Sequence, residues 1–385
     1  MQSVGGTRKR YRRVSYILRE EEGRHRSGVN ALAQSGRGEL LFSASRDGTA
    51  RCWRTVDAGS KAKSARTYDG HSDWVNDLVL IDHESKLVTA SSDTTIKIWG
   101  IQDANCVHSI TTHTDYVKAL AYSPDRCFVA SCGLDKEVCI WDFEASTPVS
   151  QHKGGGWKDT WSISSTPRKC SGHMDSVYCL ATNRPGTVLV SGSPERVSAH
   201  AIGLVRMWDP RTNEAVGRLK GHNDNVRCLA VSADGTKCLS GGSDATIKLW
   251  DLGQRRCIHS LAVHTDSVWA LETDEGFGKV LSGGRDQAVF GTDLRTLDST
   301  LLMRLAEPPL ALALTPDQRS VWVGTTSSTV TRWDLEPAWA QDLSGAARDR
   351  RVSLHRISSV PRRGDLMVGR SPGLMPLPPR GTGAC

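Results

Sequence analysis

Imidazole, hydroxyl and carboxylate groups recur in this chain at fixed spacing. Together they could ligate a metal, arm a nucleophile or satisfy one another. Six histidines are each followed 22 residues later by an acid: His25/Asp47, His71/Asp93, His113/Asp135, His173/Glu195, His222/Asp244 and His264/Asp286. A Ser or Thr stands four before each acid, at Ser43, Thr89, Ser131, Ser191, Ser240 and Ser282. Trp53, Trp99, Trp141 and Trp250 fall 28 after their histidines. Trp208 falls 35 after, as if seven residues were inserted, and Thr292 takes the sixth Trp place. A valine stands four after every His, from Val29 to Val268.

Six equal sites in six similar units do not make six active sites. The indole N–H is a donor only, and a largely buried ring needs an acceptor for it. A Ser or Thr hydroxyl can accept from Trp and donate to His, and the His can bond to the acid. Such a closed chain satisfies every buried polar group and fixes the register of its unit. The sets His71, Thr89, Asp93 and Trp99; His113, Ser131, Asp135 and Trp141; and His222, Ser240, Asp244 and Trp250 are therefore read as scaffold. The sequence has no H-E-x-x-H and no P-loop, and no metal or cofactor is expected. Eleven cysteines include no C-x-x-C pair. Cys52, Cys139, Cys179 and Cys228 sit in apolar runs, as buried thiols in a reducing compartment do.

The elements that would hold these groups repeat with a period of roughly 42 residues. Each unit has four short strand candidates: one after the His (75–81, 226–232), one before the acid (86–91, 237–242), one ending on the Trp (95–99, 246–250) and one before the next His (106–110, 257–261). Turn signals such as Asp-Gly at 234–235 separate them. A small sheet that cannot bury both faces alone packs on its neighbours around an axis, so the fold class is all-β, a β-propeller. A seventh, irregular unit spans 310–335, with Ser327 at the acid position and no leading His. Residues 13–18 read as a strand that closes the last sheet. Residues 150–168 read as a polar loop, and 197–203 as the insertion that displaces Trp208. The domains are a basic arm (1–12), the propeller (13–340) and an Arg/Gly/Pro-rich tail (341–385), in which 353–369 hold at most half of a further unit.

The net charge of +7 comes from the two ends: residues 1–13 hold five basic side chains and no acid, and residues 345–385 hold eight Arg and two Asp. The remainder is net negative, so the repeat region has no electrostatic claim on nucleic acid. The N-terminus lacks an apolar signal segment and there is no apolar run of about 18 residues. The expected location is nucleus or cytoplasm, away from membrane. The basic run from Arg8 to Arg13 suits nuclear import or a solvated lead-in equally.

With the polar sets assigned to scaffold, function falls to the rims. The residue after each repeated Val should point to the mouth of the central channel: Asn30, Asn76, Lys118, Tyr178, Arg227 and Trp269. The residue before each acid lies near it: Arg46, Ser92, Leu134, Pro194, Ser243 and Arg285. Trp269 with Arg227 and Arg285 has the composition of an interface hot spot. The alternative is a Trp capping the channel among solvated arginines. A second candidate is Trp208, Asp209 and Arg211. This W-D-x-R run resembles the box by which some propellers dock on the adaptor of a cullin-type ubiquitin ligase, although W-D also ends such strands by default.

Several stretches together resemble one WD-repeat family, the activators of ubiquitin-specific proteases, known also as the deubiquitinase-associated factor of DNA-crosslink repair. They include RVSYILREE (13–21), HSDWVNDLVL (71–80), SSDTTIKIW (91–99), YVKALAYSPD (116–125), GLDKEVCIWD (133–142), RMWDPRT (206–212), LKGHNDNVRCL (219–229), VHTDSVWAL (263–271) and TTSSTVTRW (325–333). The family's irregularities recur at Glu195, at Thr292 and in the His-less seventh unit. The resemblance implies a WD-repeat propeller and a non-catalytic partner that clasps a ubiquitin-specific protease and raises its activity. It implies protease contacts at Arg227, Trp269 and Arg285, and ubiquitinated substrates as further partners. Family members also carry a further blade and C-terminal ubiquitin-like folds that recruit substrates.

Overall fold

The computed structural model describes residues 24–55, 64–81, 84–144, 162–164, 166–195 and 203–335. Among them lie 28 strands and no helix, grouped in seven antiparallel sheets. We number these sheets as blades 1–7 in chain order. Their inner strands are Val29–Gln34, Val75–Ile81, Val117–Ser123, Cys179–Thr182, Val226–Val231, Val268–Thr273 and Pro309–Leu314. Each blade is a meander, in which consecutive strands pair in sequence order. Blade 3 shares its fourth place between Ser162–Ile163 and Arg168–Cys170, both paired to Val138–Glu144. The polar loop expected over 150–168 therefore ends earlier than the sequence suggested.

Alternation builds the joints between blades. Strands such as Leu40–Ser45 and Lys86–Ser91 are buried along almost their whole length, because both faces meet a neighbouring sheet. One apolar cluster fills each of the seven joints. Phe42, Tyr68, Leu78 and Trp99 fill the joint of blades 1 and 2. Val29, Leu41 and Trp53 of blade 1 meet Ala313, Trp322 and Val330 of blade 7. That last cluster closes the ring at seven blades among the described residues. The closing strand expected at 13–18, the basic arm at 1–12, the tail at 341–385 and its half unit at 353–369 lie outside the described residues. So does the insertion, apart from Gly203. The strand Gly203–Asp209 nonetheless resumes the common register, with Trp208 opposite Leu189 as Trp99 is opposite Leu87.

Glycine is required just before His71, His173 and His222. Gly70, Gly172 and Gly221 have φ of 150°, 154° and 152°. A Cβ on Gly70 would approach the Trp99 ring to 3.2 Å. The chain therefore passes over the indole closely enough for the imidazole to reach the buried hydroxyl beneath.

Candidate partner-binding face

Each quartet closes as its spacing suggests. In blade 5 the Trp250 indole N–H donates to Ser240 Oγ at 2.7 Å, and His222 Nε2 lies 2.6 Å from the same hydroxyl. His222 Nδ1 is 2.9 Å from an Asp244 oxygen. Asp244 also accepts the backbone N–H groups of Asn223 and Thr246, so it pins both the entry loop and the hairpin turn. Blades 1, 2, 3 and 4 repeat the arrangement with Ser43, Thr89, Ser131 and Ser191, all fully buried. A hydroxyl that accepts from an indole and is sealed from solvent cannot reach a substrate, so these groups act as internal struts.

The acids show the electrostatics of that closure. Burial works most strongly, raising the pKa of Asp244 and Glu195, yet hydrogen bonds and charge from His222 and His173, added to those from Asn223, Thr246, Arg206 and Met174, together hold both carboxyls at about 2. Glu195 gains a further bond from Arg206, 2.9 Å away and buried beside it. Burial holds His25, His173 and His264 below the usual histidine value against the pull of their acids.

Blade 6 lacks the indole. Phe290 supplies an aromatic ring two residues before Thr292, edge-on to His264 with centroids 4.9 Å apart. Thr292 Oγ1 turns to Ser299 instead, at 2.9 Å. Blade 7 replaces the set with hydroxyls of Thr325, Ser327 and Thr329.

The rim residues owe their position to a recurrent bulge. In blades 1, 2, 3, 5, 6 and 7 the ladder between the first two strands slips by one residue at its start. The extra residues are Asn30, Asn76, Lys118, Arg227, Trp269 and Leu310. A bulge leaves one residue unpaired and re-aims its side chain. Tyr178 holds the matching place in blade 4 and donates its N–H to the Gly192 carbonyl. The residue before each acid is locked alongside. The N–H groups of Arg46, Ser92, Leu134, Ser243 and Arg285 donate to Gly28, Trp74, Tyr116, Asn225 and Ser267. The two rim sets therefore lie side by side on one face.

On blade 5, Arg227 donates from Nε to Ser243 at 3.0 Å and lies 5.1 Å from the Tyr178 ring centroid. Its aromatic partner is thus Tyr178 of blade 4, where the sequence had grouped it with Trp269. Trp269 is half-buried. Arg285 Nε is 3.8 Å from Asp266 with both side chains largely exposed, a contact of little energetic weight. Lys118 lies over Tyr116 at 5.4 Å. Its ammonium is held below the usual lysine value by burial first, then by Arg46 and Arg227, against Asp73 and Asp115.

The second sequence candidate sits elsewhere in its blade. Trp208 is buried in its quartet, whereas Asp209 ends the same strand and Arg211 stands in the following turn, the two closing on each other at 2.7 Å.

Sequence reasoning missed Trp74 and Tyr116, three residues after His71 and His113, which are 46% and 43% exposed. The register itself could have flagged them, since Ser176, Asn225 and Ser267 hold the same place in other blades. It also missed two acids on the inner strands. Asp77 accepts the N–H of Leu120 from blade 3 at 2.7 Å, and Glu272 accepts that of Leu314 from blade 7. Burial raises both carboxyls to about 7. Side chains link other blades in the same way: Asn30 and Asn76 donate to the Val75 and Val117 carbonyls.

Comparison with known families agrees with this geometry. Residues 20–54, 62–100, 104–142, 164–196 and 213–251 match the family model described as WD domain, G-beta repeat. Segments 62–100, 104–142 and 213–251 run from the outer strand of one blade to the third strand of the next, whereas 164–196 stops just after the second strand of blade 4, Leu189–Ser193. Blades 6 and 7 lie beyond the matched segments and keep the same topology.

Proposed function

Because the chain is a seven-blade β-propeller with WD40 repeats whose histidine sets serve as struts, we propose that it acts as a non-catalytic scaffold that binds and activates a ubiquitin-specific protease. The observation that carries this reading is the placement of Arg227, Trp269 and Arg285 on neighbouring blades. All three stand on the bulge-and-turn rim, and none is spent on a strong internal ion pair. Trp and Arg in such a setting are the residue types that dominate protein interfaces. They stand at the positions that the resemblance to the protease activators assigns to protease contacts, with Lys118 and Tyr178 extending the rim beside them.

The mechanism is allosteric. A rigid rim that prefers the protease conformation with an aligned catalytic site shifts its population, and couplings of about 1–3 kcal/mol are usual for such effects. Action in the nucleus or cytoplasm, with ubiquitinated proteins as the substrates of the partner, belongs to the same reading. The cullin-adaptor reading has Arg211 as its contact. That guanidinium is engaged bidentately by Asp209, so the geometry adds nothing in its favour.

Trp269→Ala should weaken co-purification of the protease at least about tenfold, roughly 1.4 kcal/mol or more. Arg211→Ala should leave it unchanged. Full retention of the protease by the Trp269→Ala chain removes the proposed interface.

A further inference from the structure

A second part of the rim, on blades 1–3, carries its own chemistry. Trp74 and Tyr116 stand on the loops that lead into the inner strands Val75–Ile81 and Val117–Ser123. Both rings are more than two-fifths exposed on a rigid frame. Each has a cation over it: the Arg46 guanidinium lies 5.0 Å from the Trp74 ring and the Lys118 ammonium 5.4 Å from that of Tyr116. A polar run ties these groups together. Arg46 Nε donates to Asn30 Oδ1 at 2.9 Å, and Asn30 donates to the Val75 carbonyl. Asn76 donates to Ser92 and to the Val117 carbonyl beside Lys118. Among the described residues, neither Arg46 nor Lys118 meets a carboxylate at ion-pair distance. Two cations on aromatic platforms are thus held ready for an anionic ligand with apolar character.

We propose that this rim docks an extended acidic segment of a partner protein, its carboxylates between Arg46 and Lys118 and an apolar side chain against Trp74 and Tyr116. Charge placement favours a peptide over nucleic acid. Asp73 and Asp115 flank the two cations, each capping its own turn through the N–H of Trp74 or Tyr116. Asp175, Asp224 and Asp266 repeat that position in blades 4–6. A phosphate backbone laid across the face would meet a carboxylate at blade after blade. A short peptide between the cations meets only Asp73 and Asp115 and leaves Asp175, Asp224 and Asp266 untouched. The site shares Lys118 with the protease reading, whose Arg227, Trp269 and Arg285 stand on blades 5 and 6, so Trp269→Ala separates the two.

The test is fluorescence anisotropy on the full chain with a fluorescein-labelled peptide of alternating Glu-Glu-Leu units. Its lysine counterpart and a short labelled oligodeoxythymidine serve as the other probes. The acidic peptide should bind saturably, at least about tenfold tighter than the lysine peptide, and more weakly as salt rises. Lys118→Glu and Trp74→Ala should each lose about tenfold, Lys118→Arg should retain binding, and Trp269→Ala should match the unaltered chain. Trp74 is exposed and Lys118 half-buried, so matching melting temperatures would show that the fold is kept. Absence of saturable binding overturns the proposal, as does affinity indifferent to Lys118→Glu and Trp74→Ala. Tighter binding of the oligonucleotide, lost in Lys118→Glu, overturns it in favour of nucleic acid.

Discussion

Ser240 meets two buried partners with one oxygen, and that economy is what makes the quartet sensitive. Ser240→Ala strands the Trp250 indole N–H and His222 Nε2 together. A buried unpaired polar group costs about 1–3 kcal/mol, so the loss should be about 2–5 kcal/mol. Ser282 in blade 6 answers only to His264, and Ser282→Ala should cost about 1–3 kcal/mol. Urea unfolding of the two variants checks the difference, and equal losses would contradict it. The same residues set the response to pH. Glu195 and Asp244 are held at about 2, below the usual carboxylate value of about 4. Their contribution is therefore complete above about pH 4 and is lost as pH falls towards 2. His25, His173 and His264 are also held low, so the unfolded chain takes up protons first as pH drops through about 6.5, and their share of the stability begins to fall there. Between about pH 6.5 and 4, Asp77 and Glu272, raised by burial, oppose the histidines, so the melting temperature should fall steeply only below about pH 4. A flat profile below about pH 4 would exclude this account of the struts.

At the scale of the strand, the inner edges of neighbouring blades are joined by side chains. Asp77 is raised to about 7 by burial while accepting the N–H of Leu120. A carboxyl raised in the folded state contributes fully below its unfolded value and loses that contribution as pH rises through about 7. Asp77→Asn should remove its share of the stability lost as pH rises between about 4 and 7, about 1.4 kcal/mol per pH unit. A pH dependence over that range identical to that of the unaltered chain would show that Asp77 ionises freely. Strands such as Val75–Ile81 and Lys86–Ser91 were legible to the residue, because alternation and the His-to-Trp register point to the same boundaries. Trp208 was legible as a quartet member despite the extra residues before it, since Ser191 and Glu195 keep their spacing from His173. Asp77 and Glu272 were not legible. Their partners are main-chain N–H groups of the next blade, which leave no side-chain pattern. Phe290 escaped for a related reason: it stands at a place where other blades hold Arg, Lys or Cys, and only the position of the imidazole reveals its use.

On the scale of the whole ring, blade 7 packs on blade 1, and blades 1–3 and 5–7 each carry the bulge at the start of the inner strand. The rim positions follow from the repeated Val and acid, so which residues share the face could be read in advance. Which of them touch could not, and Arg227 lies over Tyr178 because stacking across a blade joint depends on distances that spacing does not encode. A closed frame with sealed quartets and a varied rim is suited to act through a partner. Adding the purified chain to a ubiquitin-specific protease with a fluorogenic ubiquitin substrate tests that claim directly. The chain alone should release no fluorophore, the protease rate should rise saturably with added chain, and the Trp269→Ala chain should fail to raise it at the same concentration. Turnover by the chain alone, or a protease rate unmoved across a panel of such enzymes, would contradict the account.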